Sequence, residues 1–124
     1  MTKMPYLLTF EPRSGYLYAK VLAETMTRET ALKYLREVAD KCAELKCDRL
    51  LIDRDVRAML SPEDLSFAVN EFLKMIGDTR VAFLNAHLTH EAELGFAAMV
   101  GNNPAFKMCA TTDAAEEWLL KTPS

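Results

Sequence analysis

The chain has 124 residues, half of them hydrophobic and 27% charged, with a formal net charge of −3. That length suits one domain with enough apolar content for a real core. The acidic balance gives no electrostatic reason to expect nucleic acid, no apolar run approaches the ~20 residues of a membrane span, and the opening Met1-Thr2-Lys3-Met4-Pro5 shows no secretory signal.

Tyr6–Phe10 reads as a strand, and Pro12-Arg13-Ser14-Gly15 as a turn. Tyr16–Val21 follows as a second strand, with Leu17, Ala19 and Val21 on one face and Tyr16, Tyr18 and Lys20 on the other. The two segments are expected to pair as an antiparallel hairpin. Thr27 is placed to cap a long helix whose stripe is Leu32, Leu35, Val38, Ala39, Cys42 and Leu45.

Leu50-Leu51-Ile52-Asp53 is too short and too continuously apolar for a surface helix. It suits a strand covered on both faces. The charged run Asp53-Arg54-Asp55-Val56-Arg57 then reads as a loop. Ser61-Pro62-Glu63-Asp64 reads as an N-cap and first turn, with acids at the positive end of the helix dipole. That helix carries Leu65, Ala68, Val69, Phe72, Leu73 and Ile76 on one side, and Gly77 stops it.

Arg80–Asn85 is a further strand, and a helix is expected from Thr89 to Val100, ended by Gly101-Asn102-Asn103-Pro104. Phe106–Thr111 is the last strand. Asp113-Ala114-Ala115-Glu116 has the shape of a capping box and opens a short terminal helix through Trp118, Leu119 and Leu120. The order β-β-α-β-α-β-α-β-α predicts a single α/β domain over residues 1–124, with an N-terminal antiparallel hairpin and otherwise parallel strands.

The junction Leu50–Asp64 is where open α/β sheets place working residues, so Asp53, Arg54, Asp55, Arg57 and Ser61 form the candidate binding crevice. Asp53 and Asp55, two positions apart, could serve phosphoryl transfer with a divalent cation. The plainer reading is a solvated loop in which Arg54 and Arg57 screen the acids. His87 and His90, with Glu91 or Glu93, could approach a zinc set but match no zinc spacing, and two exposed loop histidines are the ordinary account. No metal or cofactor is therefore assigned.

Cys42, Cys47 and Cys109 are odd in number and lack a Cys-x-x-Cys, which fits reduced thiols in the cytoplasm. Residues 1–62 hold eleven basic and nine acidic side chains, and residues 63–124 hold four and nine, which reads as an ordinary solvated surface. The helix from Thr89 to Val100 is apolar nearly all round, with Leu94, Phe96 and Met99 as its candidate interaction residues and a homodimer as its candidate use.

The element order and the Leu50–Asp64 junction resemble the STAS domain, the fold of the anti-sigma-factor antagonists. The closer likeness is to the bacterial SpoIIAA-like branch, which is also similar to lipid-binding Sec14-type domains. The resemblance spans Tyr6 to Leu120. It implies a non-enzymatic regulatory or protein-interaction domain, with Ser61 at the position of the family's phosphorylatable serine. The family motif reads Asp-Ser-Ser-Gly or similar, whereas this chain reads Leu60-Ser61-Pro62-Glu63. A phosphate there would meet the charge of Glu63 and Asp64. The Sec14-like side of the resemblance implies a second reading, a small module for an apolar or lipid-like ligand.

Overall fold

The computed structural model describes residues 6–56, 61–77, 79–85, 105–109 and 111–121. Among these, five strands and three helices are seen: β1 (Leu7–Arg13), β2 (Tyr16–Ala23), α1 (Arg28–Leu45), β3 (Arg49–Val56), α2 (Pro62–Ile76), β4 (Arg80–Asn85), β5 (Phe106–Met108) and α3 (Thr112–Leu120). The helix expected from Thr89 to Val100, and with it Leu94, Phe96 and Met99, lies outside the described residues.

The sheet runs β1-β2-β3-β4-β5, with β1 antiparallel to β2 and every later neighbour parallel. The first hairpin turns at Ser14-Gly15, so Pro12 and Arg13 belong to β1 and not to the turn. Two successive crossovers, β2-α1-β3 and β3-α2-β4, step in the same direction, and α1 and α2 pack on one face of the sheet and on each other. We call this the front face.

Leu17, Ala19 and Val21 of β2, Leu50, Ile52 and Val56 of β3, and Val81 and Phe83 of β4 meet Tyr34, Leu35, Val38, Ala68, Val69 and Phe72 there. On the back face, α3 lays Ala115 and Leu119 over Tyr16, Leu51, Ala82 and Leu84. The continuous apolar run at Leu50–Ile52 follows from this arrangement, because alternate residues enter two different cores and all three are buried.

Three local expectations are corrected. The buried stripe of α1 is Ala31, Tyr34, Leu35, Val38, Ala39 and Cys42, while Leu32 is half-buried and Leu45 exposed. Tyr34 is large enough to set the contact face, and it rotates the stripe away from Leu32. The last helix is capped by Thr111, not Asp113: the Ala114 amide donates to the Thr111 hydroxyl over 3.1 Å, and Asp113 takes a first-turn position. The run from Asp53 to Val56 continues β3 and is not a loop, because β2 extends far enough to pair with all four residues and β4 far enough to pair with Asp53 and Arg54.

Candidate functional site

The C-terminal ends of β2, β3 and β4 share one edge of the sheet, and the N-caps Thr27 and Ser61 follow from it. The strand pleat divides the sequence-predicted crevice between two faces. Asp53 and Asp55 stand on the back face, in register with Lys20 and Leu22. Asp53 accepts a hydrogen bond from the Tyr18 hydroxyl. Burial, and then that bond, pushes the Tyr18 phenol up to about 12. The Arg13 guanidinium lies 4.0 Å from the Tyr18 ring centroid and donates to the Tyr16 hydroxyl over 3.1 Å.

Arg54 turns the other way. It is 2% exposed, within the front-face layer, and its Nε has no hydrogen-bond partner among the described residues. Its charge opposes the rise that burial imposes on the Tyr34 phenol. Arg54 therefore does not screen Asp53 and Asp55 as a loop residue would, since the sheet lies between them. Arg57 lies outside the described residues.

Ser61 is an exposed N-cap, its Oγ accepting from the Asp64 amide over 3.2 Å. His87, His90, Glu91 and Glu93 also lie outside the described residues. Among the described residues, no three metal-ligating side chains cluster, and no helix is long and apolar enough to cross a membrane.

A different surface, absent from the predicted site, forms where β1 meets α1. A groove of about 590 Å³ is lined by Tyr6, Leu7, Leu8 and Phe10 on one side and Glu37, Asp40, Lys41 and Glu44 on the other. The Tyr6 hydroxyl donates to Glu37, and burial followed by that bond raises the Tyr6 phenol above its ordinary range. Lys41 sits 5.8 Å from the Phe10 ring centroid and pairs with Glu44 at 2.9 Å.

Among the described residues, β1 has β2 on one side and no strand on the other. Pro12 carries no N–H, so its ladder position is an outward, unbonded one. Alternation then gives Leu8 and Phe10 outward-facing N–H and C=O groups. A proline inside the strand, two residues beyond the apolar and aromatic run that ends at Phe10, is the sequence signal that marks an edge strand.

No protein-family model and no curated protein matches the chain.

Proposed function

We propose that this chain is a non-enzymatic regulatory or protein-interaction domain of STAS/SpoIIAA-like type, acting in the bacterial cytoplasm by docking on another polypeptide. The observation that carries the reading is the outer edge of β1, which no strand covers among the described residues, above the Tyr6–Phe10 groove. Outward peptide groups beside half-buried apolar side chains suit main-chain pairing with a partner strand. The antiparallel hairpin followed by sequential parallel strands supports the family likeness. A phosphohydrolase finds less support. The Asp53 carboxylate is already engaged by the Tyr18 hydroxyl.

Photo-crosslinking in cells tests the docking. Leu7 is 56% exposed at the groove, and Glu117 is an exposed control on α3. A photoreactive residue at position 7 is expected to give a discrete adduct with a second protein that position 117 does not give. The same adduct pattern from both positions, or none from position 7, overturns the reading. Purified protein with Mg²⁺ is expected to leave small phosphate esters intact, and turnover that disappears in Asp53→Asn would overturn the non-enzyme assignment.

A further inference from the structure

Resting on the docking reading above, the geometry points to a specific partner chemistry: we infer that the β1 edge takes an extended segment with basic side chains at alternate positions. The partner would lie beside β1 as a sixth strand. Its main chain would meet the outward N–H and C=O groups of Leu8 and Phe10. Side chains facing the front of the sheet would fall between Leu8 and Phe10 on one wall and α1 on the other. That second wall carries Glu37, Asp40 and Glu44 against the one cation Lys41, which already pairs with Glu44.

A lysine or arginine fits both walls at once. Its methylene stem packs on Leu8 and Phe10 while its charged head reaches the acids of α1. Alternate placement follows from the two-residue period of a strand, because every second side chain enters the groove. The charge distribution also decides against a second copy of this chain as the occupant. Two-fold pairing of β1 with itself would bring Glu37, Asp40 and Glu44 of each copy toward the same seam, where like charges repel. On the strand itself, the remaining charges are Glu11 and Arg13, which already pair with each other at 3.3 Å.

The test uses the full chain and two capped synthetic heptapeptides, one alternating lysine with valine and the other glutamate with valine, read by fluorescence anisotropy. The lysine peptide is expected to bind at least about tenfold more tightly, with affinity falling as salt rises. Asp40→Asn combined with Glu44→Gln is expected to weaken it by about fivefold. Leu8→Pro, at an outward position where a proline leaves the β1-β2 ladder intact, is expected to abolish binding. N-methylation of one alternate set of peptide amides should do the same, and of the other set should not, which tests strand pairing without altering the protein.

Equal affinity for the two heptapeptides, with both lost in Leu8→Pro, would overturn the basic-partner inference and leave edge docking standing. Binding that survives both Leu8→Pro and each N-methylated set would overturn strand addition itself. Absence of binding by either peptide overturns the inference here, whereas the docking reading falls only with the crosslinking result, either no adduct from position 7 or the same adducts from positions 7 and 117.

Discussion

Ser61 stabilises the first turn of α2 through one hydrogen bond, and that role alone accounts for the residue type. Ser61→Ala is expected to lower stability by about 0.5–2 kcal/mol in denaturant titration, and Ser61→Asp to retain most of it, because a carboxylate both caps and complements the helix dipole. Phosphoregulation at this serine would show as a change in partner capture by Ser61→Asp at near-native stability. Tyr18 gives a pH-dependent counterpart. Its folded pKa of about 12 exceeds the ordinary 10, so between those values the native state holds a proton that the unfolded chain releases. Its contribution is complete below about pH 10 and is lost as pH rises toward 12. Tyr18→Phe is expected to flatten the alkaline fall in melting temperature across that window. The cap at Ser61 was legible because its signal is local: a hydroxyl, then proline, then two acids. The burial of Arg54 was not. Asp53-Arg54-Asp55 looks solvated on its own, and only pairing with Val21 and Asn85, distant in sequence, keeps it in a strand and turns its middle residue inward.

Helix and strand ends show the same division between local and distant causes. The run Arg80–Asn85 coincides with β4, and Gly77 ends α2 at φ 61°, a left-handed value that glycine takes without steric penalty. The end of α1 carried no such signal, because the residue in the left-handed region there is Lys46, at φ 55°. Its amide donates to the Ala43 carbonyl and the Cys47 amide to the Cys42 carbonyl, the paired bonds of a Schellman motif. The motif holds despite the Cβ cost because Cys47 packs against the front core. Lys46→Gly is therefore expected to raise stability by about 1 kcal/mol, measured as an increased denaturation midpoint at unchanged slope. A fall instead would mean that the entropy added to the unfolded chain outweighs the relieved backbone. The same helix buries Cys42, whose thiol is pushed up to about 12 by burial. Iodoacetamide at neutral pH is accordingly expected to label Cys47, which is half-buried, well before Cys42.

Across the whole molecule, the two faces of the sheet are unequal. The front is covered by two helices of 18 and 15 residues that also support each other, whereas the described part of the back is covered by α3 with nine. The doubly buried run at Leu50–Ile52 announced that both faces were covered, but sequence periodicity could not say how unequally. Stability should follow the imbalance. Leu119 is fully buried and seats α3 on Leu51, Ala82 and Leu84, so Leu119→Ala is expected to cost about 2–5 kcal/mol. That loss falls on the smaller core, which gives α3 room to detach before the sheet unfolds. Trp118 reports the event directly. It is the one tryptophan of the chain, packs against the back-face cluster, and has the Arg80 guanidinium 4.4 Å from its ring. In the wild type, tryptophan emission and far-ultraviolet circular dichroism should change together with denaturant. In Leu119→Ala the emission should shift at lower denaturant than the dichroism, because the local environment of Trp118 is lost while β1–β4, α1 and α2 stay folded. Coincident transitions in the variant would instead make α3 part of one cooperative unit, with the back-face core as necessary to the sheet as the front.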